Sequence, residues 1–358
     1  MSEQTLQRGG SQRNWNLDLV KLLSCIAIIG QHCFDKNAFA LARVLHHIFG
    51  FAIPCFFMAG GYMLLNKESV SWKYVLGKIL RFVRFVMLWN LLGYLVFAAK
   101  GIVIDHTGLR GLIQCFIDYL KSFYLACFMQ KTPFMHFWYI GTTMILYLLL
   151  PLLLRIFRKK GEKANRRGRV LAMWIVLAAI SVGIQAASTI LRYPLQSKVP
   201  QAFRLWCSLQ YFLLGGMMPD LVKWMKSNLR FGWHMALTIA VTAVSVAIRA
   251  TVGAKFTGSI YAEYFYDAPL FILSALLVFS LIMRLNLNRA AEKFVSLFAP
   301  STMVIYAMHR AVLSSRRVFV KPASGLGCAV DFLYCMVICF AAAALLRKIK
   351  FAKYWVKI

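Results

Sequence analysis

The chain has 358 residues, of which 60% are hydrophobic and only 15% are charged, and its formal net charge is +30. Soluble domains carry about a quarter of charged residues, so the composition excludes an ordinary soluble domain and predicts a protein that crosses a membrane several times. The basic residues lie in short loops between apolar segments and form no stripe with aromatic residues, so we expect no nucleic-acid partner.

Ten apolar segments follow one another along the chain, each long enough, or nearly so, to cross about 30 Å of hydrocarbon. We therefore predict an all-α, polytopic transmembrane helical bundle with about ten spans, which forms a single membrane-embedded domain over 1–358. The polar ends, 1–15 and 347–358, are predicted to be cytoplasmic tails. The predicted spans are 16–34, 44–65, 79–99, 134–154, 170–191, 204–219, 232–252, 267–285, 293–313 and 326–346.

The stretch 112–129 is also apolar but carries Asp118 and Lys121, so we predict an amphipathic helix on the outer surface or a re-entrant segment. Ten spans with both termini inside place the basic loop 155–169 in the cytoplasm, as the positive-inside rule requires. An eleventh span at 112–129 would move that loop outside. We expect a multi-pass protein of the bacterial plasma membrane, surrounded by lipid. The basic residues of the loop are Arg155, Arg158, Lys159, Lys160, Lys163, Arg166, Arg167 and Arg169.

Three histidines from distant segments are predicted to lie at one depth, near the outer surface. His32 ends the first span, His136 begins the fourth and His309 ends the ninth. A titratable group at membrane depth is costly unless it has a partner or a function, so a shared site is one interpretation. Each histidine could instead extend to the lipid headgroups, and three histidines could ligate zinc. No His-Glu-x-x-His motif and no Cys-x-x-Cys pair accompanies them, so we expect no metal site.

The opposite, inner end of the bundle carries the other candidate binding residues. Arg81 and Arg84 are three residues apart, so they share one helix face, and paired guanidinium groups suit phosphate. A cytoplasmic anchor of the helix is the alternative interpretation of the two arginines. Lys21 and Asp18 mark the same end of the first span, and eleven helical residues place His32 about 16 Å from Lys21.

Six pieces of sequence occur in a fixed order: Leu17-Asp18-Leu19-Val20-Lys21 to His32, Pro54 to Tyr62, Arg81-x-x-Arg84, His136-Phe137-Trp138-Tyr139, Tyr211-Phe212-Leu213-Leu214-Gly215, and Tyr306-Ala307-Met308-His309. In this order and spacing they resemble acyltransferase family three, a family of integral membrane proteins, over nearly the whole chain. Members of the family move acetyl or other acyl groups onto cell-surface sugars, peptidoglycan and related acceptors.

The resemblance implies an O-acyltransferase with acyl-coenzyme A, such as acetyl-coenzyme A, as its donor substrate and with no permanently bound cofactor. His32 matches the essential histidine of the family, and Arg81 and Arg84 match its paired arginines, which are thought to engage the donor. Lys21 stands where the family usually has arginine, and we place it with Asp18 on the donor side. The acceptor-site candidates are His136, Trp138, Tyr139 and His309.

The expected reaction transfers the acyl group to a hydroxyl of a cell-surface or lipid-linked glycan. His32 serves either as a general base or as a carrier of the acyl group. The family's fused extracytoplasmic domain has no counterpart in this sequence, so the chain completes transfer alone or with a separate extracytoplasmic transferase. The alternative functions are a transporter or flippase for a lipid-linked sugar, which would show inverted repeats, and a non-catalytic membrane sensor.

Overall fold

The computed structural model describes residues 13–34, 37, 39–103, 108–132, 134–157, 163–319 and 325–349. Over these residues the chain is helical and contains no strand. The predicted tails lie outside the described residues except for 13–15 and 347–349, and so do residues 158–162 of the basic loop. The α-helices are α1 (Trp15–Cys33), α2 (Ala40–Ile48), α3 (Ala52–Leu64), α4 (Trp72–Val103), α5 (Leu109–Tyr124), α6 (Trp138–Phe157), α7 (Lys163–Ile190), α8 (Leu205–Asn228), α9 (Phe231–Thr251), α10 (Gly253–Thr257), α11 (Pro269–Met283), α12 (Arg289–Phe298), α13 (Thr302–Phe319) and α14 (Gly325–Lys348).

Short helical turns connect several of these helices. A π-helical turn at Leu125–Met129 continues α5, and the remaining turns are 3₁₀-helical. These 3₁₀ turns are Phe49–Phe51, Met135–Phe137, Leu195–Lys198, Gln201–Phe203, Ala262–Phe265 and Ala299–Ser301.

Six helical stretches of the described chain are long and apolar enough to cross a membrane, which makes this a multi-pass membrane protein. One of them, Leu109–Met129, includes the stretch that the sequence placed at the surface or in a re-entrant segment. Pro269–Met283 is apolar but shorter. Other long helices contain charged residues that lower their mean hydropathy, as Asp18 and Lys21 do in α1. The six stretches are Ala40–Leu64, Leu109–Met129, Met135–Ile156, Gly168–Ile190, Phe231–Thr251 and Gly325–Lys348.

Several predicted spans have different boundaries in the structure, and two of them illustrate the reasons. The predicted span 293–313 is divided, because α12 ends at Phe298 and α13 begins at Thr302 after a 3₁₀ turn that contains Pro300. Proline lacks an N–H and favours the start of a helix, so it ends one helix and begins the next. The predicted span 204–219 is longer than expected, since α8 continues through Pro219 to Asn228.

The first helix, α1, is the centre of the bundle. The Asn14 side chain caps its N-terminus by accepting a hydrogen bond from the Leu17 N–H at 3.0 Å. Helices α3, α11, α12, α13 and α14 all pack against α1. Its middle is buried on several sides, with Leu22, Cys25 and Ile29 almost completely inaccessible. His32 therefore lies in the last turn of a helix against which several other helices pack.

Helices α3 and α8 approach so closely that glycine is required at their contact. A Cβ atom at Gly61 would overlap the carbonyl of Phe212, and a Cβ atom at Gly215 would overlap the carbonyl of Met58. Small residues that allow backbones to meet are typical of helix contacts in membranes. The motifs that contain these two glycines therefore form one helix interface.

A buried carboxylate joins the last two helices to the end of α1. Asp331 of α14 is fully buried and pairs with Arg316 and with Arg317 of α13, the latter at 2.8 Å. Arg317 also donates to the Cys33 carbonyl at 3.2 Å. Three helices are thereby fixed relative to one another beside His32.

Candidate active site

The structure brings together the three histidines that the sequence placed at one depth. The rings of His32 and His309 have centroids 5.1 Å apart, and those of His136 and His309 are 4.9 Å apart. His309 is the middle member and is almost fully buried, as is His136, whereas His32 is only partly buried. We call these three residues the histidine cluster.

Backbone carbonyls fix the protonation of the two buried rings. A carbonyl can only accept a hydrogen bond, so the 3.1 Å contact to the Ala307 oxygen places a proton on Nε2 of His136. The 2.6 Å contact to the Tyr306 oxygen likewise places a proton on Nδ1 of His309. Nδ1 of His136 and Nε2 of His309 have no hydrogen-bond partner among the described residues. In its neutral form each ring therefore keeps one unused lone pair.

His32 borders a cavity of about 540 Å³, which we call the polar cavity. Its imidazole makes no hydrogen bond to the residues that the structure describes, so its ring nitrogens are accessible to a ligand. Loops that join distant helices surround the cavity, and they contribute Gln130, Gln201 and Glu263. The cavity is large enough for a sugar-sized ligand.

A chain of hydrogen bonds orders one wall of the polar cavity. The side chain of Gln130 donates to that of Gln201 at 2.5 Å, and Gln201 in turn donates to the Glu263 carboxylate. His46 accepts from the N–H of Ala262 at 3.4 Å on the neighbouring wall. These side chains offer both donors and acceptors to a hydroxyl-bearing ligand.

Tyrosines from the loop before α11 complete this wall. Tyr261, Tyr264 and Tyr266 line the cavity. Burial raises the pKa of the Tyr264 phenol, so the phenol stays protonated and can donate a hydrogen bond. Aromatic faces beside polar groups are suited to a sugar, which presents both apolar C–H faces and hydroxyls.

Another part of the wall belongs to one face of α13. Tyr306, Arg310 and Arg317 are spaced four and seven residues apart, so they lie along one side of the helix, and all three line the cavity. Arg310 is close enough to His32 and His136 to interact electrostatically with both.

A second cavity, of about 260 Å³, lies toward the other end of the bundle, and we call it the apolar cavity. Aliphatic and aromatic side chains of α3, α4, α6, α8 and α13 form most of its wall. Lys21 and Lys78 also line it. A long, flexible and mainly apolar group with an anionic end would match this combination.

An aromatic layer separates the two cavities. It consists of Phe57, Trp138, Tyr139 and Tyr306, with Phe57 and Tyr139 centroids 4.9 Å apart and Tyr139 and Tyr306 centroids 5.8 Å apart. Phe57 and Tyr139 line the apolar cavity, while Trp138 and Tyr306 line the polar cavity. The histidine cluster and the lysines therefore lie on opposite sides of a thin layer of rings.

The remaining candidates from the sequence lie at the lysine end. Lys21 pairs with Asp18 at 2.5 Å, and Arg13 pairs with the same carboxylate at 2.6 Å. Arg81 and Arg84 are exposed on α4 and do not line the apolar cavity. Lys78, one turn before Arg81, lines it instead.

Lys78, Arg310 and Glu263 are among the cavity residues that the sequence reasoning missed. Lys78 could have been found, because it follows the same helical spacing as the buried Phe82 and Phe85. Arg310 directly follows His309 and lies four residues after Tyr306, so its helical spacing also indicates a place near the site. Glu263 had no signal, since its place in the cavity depends on contacts between loops.

The structure shows no metal-ligand set in the part of the chain that it describes. No group of three or more His, Cys, Asp or Glu side chains there is arranged to hold a metal ion. The nine cysteines are all free and most are buried.

Comparison with known proteins gives one clear match. No curated protein and no solved structure matches the chain significantly. The family described as acyltransferase domain, acyltransferase family three, matches residues 14–348, which include both cavities and the histidine cluster. The chain therefore belongs to this family of membrane acyltransferases.

Proposed function

We propose that this acyltransferase moves an acyl group, with acetyl as the expected group, from acyl-coenzyme A to a hydroxyl of a cell-surface or lipid-linked glycan. The observation that carries the proposal is the position of His32, whose imidazole faces the polar cavity beside the aromatic layer. A base at this point can serve a donor that arrives through one cavity and an acceptor that arrives through the other.

The lysine end is the proposed donor side. With about ten spans and both termini in the cytoplasm, the apolar cavity opens toward the cytoplasm, where acyl-coenzyme A is present. Lys21, held by Asp18, and Lys78 would bind phosphate groups at the cavity. Arg81 and Arg84 would meet the same phosphates from the exposed side of α4. The pantetheine arm would then lie among the apolar side chains.

The polar cavity is the proposed acceptor side. On the same topology its loops face the outside of a bacterial plasma membrane. Trp138 and Tyr139 of the aromatic layer would contact the sugar or the incoming acyl group. His136 and His309 would support His32 from behind. The whole chain, 1–358, then works as one membrane-embedded domain, alone or with a separate extracytoplasmic transferase.

Two reaction courses fit this arrangement. In the first, His32 takes the proton of the acceptor hydroxyl while the oxygen attacks the thioester carbonyl, and the departing coenzyme A thiolate recovers a proton from His32. In the second, a His32 nitrogen attacks the thioester and releases the thiol, and the acceptor hydroxyl then takes the acyl group from the imidazole. Both courses require an unprotonated His32 nitrogen that points into the cavity.

The direct test uses the full chain reconstituted in lipid vesicles with radiolabelled acetyl-coenzyme A and a mixture of cell-envelope glycans. Wild type should release free thiol and label the glycan fraction, and His32→Gln should lose both activities. His234→Gln is the matched control, because His234 contacts Ser280 and Arg284 outside both cavities. Equal activity of wild type and a correctly folded His32→Gln protein would overturn the proposal.

A further inference from the structure

Arg310 differs from Arg284, Arg316 and Arg317 in having no hydrogen-bond or ion-pair partner among the described residues. Arg316 and Arg317 share the Asp331 carboxylate, and Arg284 donates to His234 and to the Leu229 carbonyl. Arg310 makes neither a hydrogen bond nor an ion pair with any residue that the structure describes. Its five N–H donors are therefore all available.

Its surroundings make this lack of a partner significant. Arg310 is only partly exposed, lines the polar cavity and lies near His32. A guanidinium group that is partly removed from water loses hydration without compensation unless an anion takes its place. Glu263, the carboxylate that lines the same cavity, accepts a hydrogen bond from Gln201 and forms no pair with Arg310.

The rest of the cavity indicates which molecule carries the anion. Gln130, Gln201 and Tyr264 line the same cavity and supply hydroxyl-binding groups and an aromatic face. A sugar placed between the walls would present hydroxyls to the glutamines and a charged substituent to Arg310. The forked geometry of arginine favours a group with two or three equivalent oxygens.

We propose that Arg310 binds a carboxylate or phosphate group on the acceptor, so that the substrate of this enzyme is an acidic glycan. The proposal rests on the proposed function, because it assigns the polar cavity to the acceptor. The bound anion would hold the neighbouring hydroxyl of the sugar close to His32. Arg310 is then a specificity-determining residue, and a neutral sugar would leave its charge unpaired in the cavity.

The test measures binding of simple sugars to the full-length protein in lipid nanodiscs by saturation-transfer NMR. The probes are methyl glucuronide, methyl glucoside 6-phosphate and uncharged methyl glucoside, which separate carboxylate from phosphate recognition. We expect at least one charged sugar to bind wild type about 10- to 100-fold more tightly than the neutral one, as for a charge-assisted hydrogen bond. Arg310→Gln should remove this preference and Arg310→Lys should keep part of it.

Arg289→Gln is the matched control, because Arg289 is exposed at the start of α12 and outside both cavities. If Arg310→Gln does not fold, the affinity of the wild type for the charged sugar is measured at increasing salt concentration. Binding of a charged sugar to Arg310 must weaken as salt screens the interaction. Equal binding of the three sugars to wild type would overturn the proposal, and so would a preference that survives in folded Arg310→Gln.

A third contrary result is an Arg310 effect on thiol release from succinyl-coenzyme A but not from acetyl-coenzyme A, with sugar binding unchanged. That result would place the anion on the acyl group. The proposed function is tested separately, by measuring whether the release of coenzyme A thiol depends on His32. If release is absent, the proposed function fails, whereas normal release with equal sugar binding contradicts the acidic acceptor alone.

Discussion

The imidazole of His309 lies against that of His32, and its Nε2 atom carries a lone pair without a partner among the described residues. The proton on Nδ1 is committed to the Tyr306 carbonyl, so Nε2 can only accept a hydrogen bond. When His32 gains a proton during transfer, the nearest unused acceptor in the cluster is therefore His309. This makes His309 a positioning residue for His32.

Replacing His309 by leucine should lower kcat about 10- to 100-fold, because a charge-assisted hydrogen bond contributes about 1.5–3 kcal/mol. The KM for acyl-coenzyme A should stay unchanged, since the donor binds on the other side of the aromatic layer. His309→Gln should recover part of kcat, because its amide oxygen can also accept. Steady-state kinetics of thiol release will separate these outcomes. A change in KM alone, or no recovery in His309→Gln, would contradict the assignment.

Lys78 should contribute more to donor binding than either arginine of the Arg81-x-x-Arg84 pair. Lys78 lines the apolar cavity, whereas both arginines are exposed on α4. Lys78→Met should raise the KM for acetyl-coenzyme A about tenfold, which corresponds to the loss of one partly shielded phosphate contact. Arg81→Met and Arg84→Met should each raise it less, since exposed ion pairs contribute about 0.2–1 kcal/mol.

For the same variants, the KM should also be measured with acetyl-pantetheine, a donor that lacks the nucleotide of coenzyme A. The truncated donor carries no adenosine phosphates, so Lys78→Met should not alter its KM. An equal loss of affinity for both donors would show that Lys78 supports the helix bundle rather than the phosphates.

The contact between α3 and α8 predicts that alanine substitution destabilises the protein at one glycine and not at another. Gly215→Ala should prevent the helices from packing, because its Cβ would overlap the Met58 carbonyl. Gly183→Ala is the matched control, since a Cβ there meets no atom within 4 Å and α7 is a candidate span. Overpacking costs about 1–3 kcal/mol or more. Thermal unfolding followed by fluorescence-detected size exclusion should show a clear loss for Gly215→Ala and little change for Gly183→Ala.

The histidine cluster shows which part of the site the sequence could predict. His32, His136 and His309 each stand at the end or beginning of an apolar segment, so the direction of each segment gives the depth of its histidine. These directions predict a common depth, which is a condition for the ring contacts that the structure shows. The sequence does not predict which helices are neighbours in the bundle. That arrangement places His309 between the other two histidines.

The arginines of α4 show what sequence spacing alone leaves open. Arg81 and Arg84 share a helix face, yet Phe82 and Phe85 occupy the face that packs inside, so the pair points away from the apolar cavity. Lys78 follows the spacing of these two phenylalanines and lines the apolar cavity instead. The polar cavity was harder still, because Gln130 and Gln201 come from loops 71 residues apart and no local pattern indicates such a contact.

The hydrogen bond between Arg317 and the Cys33 carbonyl joins residues 284 positions apart. At about 5–20 residues per second, the ribosome needs roughly 15 to 60 s to make the chain between them. During that interval α1 is already synthesised, but His32 has neither His309 behind it nor the Asp331 network beside it. The contacts around His32 are therefore complete only when α14 is in place, and a nascent chain that stalls before α14 carries His32 without them.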